Sequence, residues 1–288
     1  SSNWSGEQAF TVTGVDDSVN DGDQAFRIVL TVDNNSSNTT DTSGYRLLNP
    51  PDVWVTNVDD ETPGFYHTLP SGPTSEDNGT AVFTVGLQTQ PTGNVVLDLG
   101  ISDKTEGTFT SGSTDNDTQL SFTTANWNSP QTVTVWGLDD NDTDGTQGYT
   151  VTLAVNTAST LDADYDKLSS RMLSLSNTDD ETPGFLVSVP SGSTSESGDN
   201  ATFTVRLSSA PITGLQVMLD LSSSDTNEGR ITAASGGSPS INSTGTSTLT
   251  FTSSTWNTPV TVTVTGQNDS SVDGDQRYRI NLSVNSAS

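Results

Sequence analysis

The 288-residue sequence contains no cysteine, one histidine and two methionines. No disulfide framework can staple the fold, and thiol, imidazole and thioether chemistry is almost absent, which disfavours soft metals. Basic residues are scarce: nine Lys and Arg against 36 Asp and Glu leave a formal charge of −27. Nucleic acid and anionic membranes select basic patches and are therefore not expected as partners. No run approaches the ~20 apolar residues that cross a bilayer, so no direct membrane insertion is expected. No leader pattern opens the sequence, which reads as a mature product or an excised piece. Sustained helical periodicity is missing as well.

What the sequence does contain is a repeat. Asp59-Asp60-Glu61-Thr62-Pro63-Gly64-Phe65 returns as Asp179-Asp180-Glu181-Thr182-Pro183-Gly184-Phe185, an offset of 120. A repeat of this length is one domain read several times. The organisation expected is residues 1–60 as the C-terminal part of a first repeat, 61–180 as a complete second, and 181–288 as a third lacking its last strand. The second repeat reads as seven strands near 65–69, 80–87, 94–100, 119–124, 131–136, 148–155 and 171–177. Apolar residues alternate with Thr and Ser, as in Phe83-Val85-Leu87 and Tyr149-Val151-Leu153-Val155, the signature of a half-buried strand. The third repeats it as Phe203-Val205-Leu207, Val260-Val262-Val264 and Tyr278-Ile280-Leu282-Val284, and the first as Phe26-Ile28-Leu30-Val32. Turn clusters every ten residues or so favour all-β, tandem seven-stranded antiparallel sandwiches. Trp4, Trp127 and Trp256 mark a recurring turn and read as anchors packed on the sandwich, whereas Trp54 and Trp136 should face outward. Ser, Thr, Asn, Asp and Gly abundance with little Lys suits an extracellular or cell-surface location.

The recurring residues are largely acids. In an up-and-down walk of seven strands, the loops after strands one, three and five share an end with the exit of strand seven. In the second repeat those loops carry Glu76, then Asp103 and Glu106, then Asp139, Asp140, Asp142 and Asp144, and finally Asp179 and Asp180. The third repeat supplies Glu196, Asp225, Glu228, Asp269, Asp273 and Asp275, and the first Asp16, Asp17, Asp21, Asp23, Asp59 and Asp60. Carboxylates gathered at one end repel unless a cation joins them. Calcium takes six to eight oxygens in an irregular shell and suits multi-carboxylate loops better than magnesium's octahedron. Asp140-Asn141-Asp142-Thr143-Asp144-Gly145 opens like an EF-hand loop, but its twelfth position is Val151 and a strand follows. A Ca2+ site shared among loops is the expectation, against the plainer reading of solvated turn acids.

These residues resemble the Calx-beta family of calcium-binding sandwiches. The resemblance rests on Gly14-Val15-Asp16-Asp17-Ser18-Val19-Asn20-Asp21-Gly22-Asp23-Gln24-Ala25-Phe26, on the exits Val58-Asp59-Asp60-Glu61 and Thr178-Asp179-Asp180-Glu181, and on Glu76 and Glu196. It implies an immunoglobulin-like, Calx-beta-like fold, with Glu76, Asp139, Asp140, Asp144, Asp179 and Asp180 as ligands. The Ser-Asp-Tyr usual after the family's third strand is not evident. Asp162-Ala163-Asp164-Tyr165-Asp166 instead follows strand six, at the opposite end, where it could meet the preceding repeat. The function expected is an extracellular structural or adhesive repeat region, rigidified by calcium at its junctions and serving as stalk or surface scaffold. The alternative is a filament subunit assembled by strand complementation between chains. Partners would be neighbouring repeats, copies of the same chain, or cell-surface glycans or proteins. An enzyme is not expected, because the acids recur with the repeat, whereas a catalytic pair would usually occur once.

Overall fold

The structure, a computed structural model, describes residues 5–33, 44–110, 117–236, 240–241 and 246–287. Strands dominate, interrupted by two 3-10 turns, Tyr45–Leu47 and Tyr165–Lys167. Among the described residues no helix is long and apolar enough to cross a membrane. Two strands come first, β1 (Gln24–Ile28) and β2 (Val53–Asn57). The central stretch follows with β3 (Phe65–His67), β4 (Thr74–Ser75), β5 (Thr80–Leu87), β6 (Val95–Ile101), β7 (Gly107–Thr108), β8 (Asp117–Phe122), β9 (Gln131–Gly137), β10 (Gln147–Val155) and β11 (Arg171–Thr178).

These central strands make two sheets, in the orders β3-β5-β9-β7 and β4-β11-β10-β6-β8. Both sheets turn their apolar alternate residues onto one core that includes Phe65, Phe83, Leu97, Phe122, Val135 and Leu153. In β6 the pattern is strict: Val95, Leu97, Leu99 and Ile101 are buried and the residues between them are not. Each such side chain contributes about 1.5–3 kcal/mol through burial. Tyr165 is buried too, and its hydroxyl donates to Thr89 O at 2.7 Å. Asp162 holds that corner, accepting from the Tyr165, Asp164 and Thr92 amides.

Strands stand at each of the seven places marked by the alternation, but they are not the whole set. β4 and β7 are additional, and β4 runs parallel to β11, with Asn177 beside Thr74 and Thr178 beside Ser75. The sheet is therefore mixed, not purely antiparallel. Trp127 packs on this core and Trp256 on the next, as turn anchors should; Trp4 lies outside the described residues. Trp54 is 69% exposed, and Trp136 is half-buried.

The last stretch contains β12 (Phe185–Val187), β13 (Asn200–Leu207), β14 (Gln216–Ser223), β15 (Gly229–Ser235), β16 (Ser240–Ile241), β17 (Thr246–Thr252), β18 (Val260–Gly266) and β19 (Ile280–Val284). Its sheets run β12-β13-β18-β15 and β16-β17-β14-β19 around a second core. β19 begins at Ile280, although the alternation starts at Tyr278. In the central stretch the matching residues of β10 pair with β11 alone, and among the described residues β19 pairs only with β14. At the other end β1 and β2 form a two-stranded antiparallel sheet. β1 stops at Ile28, short of the Val32 expected from the pattern, because β2 is its only described partner and their pairing ends at Ile28↔Val53.

Candidate metal centre

The centre is built by four segments that meet at one end of the central sandwich. The parallel β4–β11 pairing delivers the first. The Glu76 N–H donates to Thr178 O at 3.1 Å, and Glu76 itself is only 3% exposed. The second segment is the turn after β6, which buries Glu106. The third is the β9–β10 loop carrying Asp139 to Asp144, and the fourth is Asp179-Asp180-Glu181 after β11.

Asn177 ties these segments together from a fully buried position. Its amide donates to Leu138 O at 3.0 Å and Glu106 Oε2 at 3.3 Å, while its oxygen accepts from Thr74 Oγ1 at 2.9 Å. Gly137 makes room for this arrangement. A Cβ there would lie 2.2 Å from Ser75 O and 2.4 Å from Asn177 Oδ1. Asp179 fixes the exit segment, accepting from the Gly145 N–H at 2.6 Å and the Glu181 N–H at 2.8 Å. Gly145 turns through φ +74° at this point, in the left-handed region that glycine adopts without strain.

With the segments so held, Glu76, Asp139, Asp180 and Glu181 can each bring a carboxylate oxygen within 4.8 Å of the others. Burial, the neighbouring Glu181 carboxyl and the charges of Asp140, Glu181 and Asp179 push Glu76 up to about 8. Glu106 and Asp144 are also raised, in each case by burial first and then by neighbouring carboxylates. Three buried oxygens here, Glu76 Oε2, Asp144 Oδ1 and Glu181 Oε2, have no hydrogen-bond partner. Buried polar atoms seldom stay unpaired, so these oxygens have room for a proton or a cation. An all-oxygen donor set without Cys or His fits a hard divalent ion.

The residues expected from sequence distribute unevenly. Glu76, Asp139 and Asp180 enter the four-carboxylate group. Asp140 and Asp144 lie close enough to raise Glu76 and Glu106, respectively. The Asp140 carboxylate also accepts from the Asp142 N–H at 2.6 Å. Asp179 positions the exit through its two amide contacts. Asp103 stays outside the four-carboxylate group: it is exposed and caps its own turn by accepting from the Thr105 N–H and hydroxyl, although its charge also helps raise Glu106. These bonds hold its carboxyl below the usual range. Glu106, three residues on, is the acid that turns inward.

The outer stretches show partial versions of the arrangement. Asp16, Asp60 and Glu61 form one group, and Glu228, Asp269 and Asp273 another. Asp17 and Asp21 line a shallow cleft beside Asp16, and Asp59 takes amide contacts from Gly22 and Glu61, as Asp179 does from Gly145 and Glu181. Asp225 is exposed and accepts from the Asn227 N–H, while Glu196 is exposed; neither enters the group around Glu228. Burial and the charges of Asp273, Asp269, Asp225 and Glu196 raise Glu228. Glu61 and Glu181 stand in the recurring Asp-Asp-Glu exits that the sequence marks as the joints and as lids of the acidic clusters, but they are not among its expected ligands, and both enter the groups; Glu228, like Glu106, falls three residues after a turn Asp.

The β9–β10 loop also carries a joint. Between Asp140 and Asp144, Asn141 O accepts from the Ala210 N–H at 2.7 Å, the Thr143 N–H donates to Ala210 O at 3.0 Å, and the Thr143 hydroxyl donates to Ser209 at 2.7 Å. The preceding joint has the same form: the Gln90 N–H donates to Ser18 O at 2.7 Å. There Asn20 Nδ2 also donates to Asp164 at 3.1 Å, so one acid of the Asp162–Asp166 stretch does meet the preceding repeat.

No family model matches the chain, and no curated protein is similar to it in sequence. Among solved structures, it is similar to the CsuC–CsuE chaperone–tip adhesion subunit pre-assembly complex from the archaic chaperone–usher Csu pili of Acinetobacter baumannii. That match has 10% identity and TM-score 0.24 and covers 76% of this chain and 99% of the other. A marsupial T cell receptor is similar at 9% identity and TM-score 0.23, over 81% of this chain and 66% of the other. Similarity at this level carries no argument about function.

Proposed function

We propose that the chain is a structural repeat region of an extracellular or cell-surface protein, of Calx-beta-like, immunoglobulin-like sandwiches whose junctions are stiffened by calcium. The observation that carries this reading is Glu76: a buried carboxylate with an unpartnered oxygen, set among Asp139, Asp180 and Glu181. Those residues would hold the ion, with Asp140, Asp144 and Glu106 close by. The ion would supply the positive charge that the gathered carboxylates lack. Its bearing on the joint follows from chain connectivity. Asp140 and Asp144 bracket the residues that bond to Ser209 and Ala210, and Asp180 and Glu181 lead directly into the next repeat. Ordering the acids therefore orders both strands of the connection.

Neighbouring repeats and cell-surface molecules are the partners this reading offers. With millimolar calcium and a Kd near 10 µM, each site adds about 2.7 kcal/mol. That is large beside a domain's ~5–15 kcal/mol. Thermal unfolding in calcium, in magnesium and in chelator tests the reading. The midpoint should rise with calcium and much less with magnesium; one midpoint in all three conditions overturns it.

A further inference from the structure

The chain enters the central sandwich at one end and leaves it at the other. Phe65 pairs with Leu87, at the end of β5 far from Thr80. Thr80 pairs with Trp136, which stands just before Asp139 of the acidic group. β11 finishes beside that group, where Asp179 follows Thr178. Tension along the chain therefore draws β3 and β4 one way and β11 the other, along the strand direction. Among the described residues β4 is where the entering chain pairs with β11, and the pair is parallel, with Thr74 beside Asn177 and Ser75 beside Thr178. Pulled in this direction its bonds are strained together, whereas an edge opened from one end breaks them one at a time.

We propose that the β4–β11 pair is a mechanical clamp, the element that keeps the central sandwich folded when the chain is pulled from both sides. This is a function beyond a passive spacer: the domain resists force through one short contact. The clamp follows from strand directions alone; only the contribution of calcium to it rests on the reading above.

Side chains reinforce the pair from inside. The Thr74 hydroxyl reaches Ser176 O at 3.2 Å and Asn177 Oδ1 at 2.9 Å, both on β11, and the Glu76 N–H donates to Thr178 O at 3.1 Å. Tyr149, on β10 behind β11, meets the same hydroxyl at 2.9 Å. Thr74, Glu76, Tyr149 and Asn177 are all buried, so water has little access to compete for these bonds as the strands begin to slide. Asn177 is bonded in turn to Leu138 and Glu106, which ties the pulled strand to two further segments.

The acidic group lies across the same pair. Glu76 directly follows β4, Asp180 and Glu181 follow β11, and all three gather with Asp139. A calcium ion held there joins the two strands that tension slides apart, so it adds to the resistance at the place where sliding starts.

Single-molecule force spectroscopy of the 288-residue chain tests this, with handles on introduced cysteines in a protein that has none of its own. Gly72→Cys with Thr182→Cys loads the pair along its strands; a Cβ at position 72 meets nothing within 4 Å. Asp77→Cys with Thr182→Cys, both positions exposed, opens the same pair from the acidic end. In chelator the first geometry should need a severalfold larger rupture force than the second. Thr74→Val, which keeps the shape and loses the hydroxyl, should remove most of that difference. Forced unfolding follows the unfolding barrier rather than equilibrium stability. Leu97→Val, a core truncation on β6 away from the pair, should therefore lower the denaturant midpoint but leave most of the force. Equal forces in the two geometries, a Thr74→Val protein as strong as the wild type, or a Leu97→Val protein as weak as Thr74→Val overturns the clamp. Calcium should raise the force of the first geometry further. If the two geometries differ and calcium adds nothing, the clamp stands and the calcium reading falls.

Discussion

Glu76 links charge to stability at the scale of one residue. Its folded pKa of about 8 lies above the ordinary 4.5, so the folded chain holds a proton that the unfolded chain releases. The sign follows: without calcium, this contribution is fully present below about 4.5 and is lost as pH rises toward 8. Denaturant midpoints measured in chelator should therefore fall between those pH values, and calcium should remove most of the fall by taking the proton's place. Glu76→Gln should flatten the chelator profile as well, because the amide carries no charge to bury. The same variant should weaken calcium binding by roughly tenfold or more, on the scale seen when metal sites lose supporting groups. A wild-type profile that rises with pH in chelator would contradict this account. The acids as a set were legible in the sequence, because they recur with the repeat. Which acid of a turn points inward was not: Asp103 and Glu106 share one turn, and only the fold decides that Asp103 caps it while Glu106 is buried.

At the scale of elements, two residues of parallel strand decide where the centre forms. β4 holds Ser75 beside Thr178, and Glu76 follows from it. Gly137 allows that approach, since any side chain there meets Ser75 O and Asn177. Gly137→Ala should cost about 1–3 kcal/mol in chemical denaturation, the range for forced overpacking. It should also lower calcium affinity, although position 137 offers no ligand. An alanine variant with unchanged calcium affinity would separate β4 from the site. The longer strands were legible because eight or nine residues of alternation leave little doubt about period, as in β5 and β10. β4 and β7 were not, because two residues display no period at all. A parallel pair between strands a hundred residues apart leaves no local signal either.

For the whole molecule, the repeated joint is the feature that matters. The acidic loops of the first and second repeats bond to the turn of the following repeat, at Ser18 with Gln90 and at Asn141 with Ala210. Calcium should therefore change shape distributions as well as stability. Small-angle scattering should show a narrower spread of maximum dimensions in calcium than in chelator, with no loss of strand content by circular dichroism. The offset of 120 residues made the joints legible from the Asp-Asp-Glu exits. The backbone bonds among them did not show in the sequence, because Ser, Asn, Gln and Ala serve such contacts equally well. The central claim is that the group around Glu76 binds calcium, and calorimetric titration of calcium near pH 7, in two buffers of different ionisation heat, tests it most directly. The account predicts saturable binding whose apparent heat differs between buffers, because Glu76 gives up a proton, and a difference that shrinks in Glu76→Gln. Absence of saturable binding, or equal binding by Glu76→Gln, would contradict it.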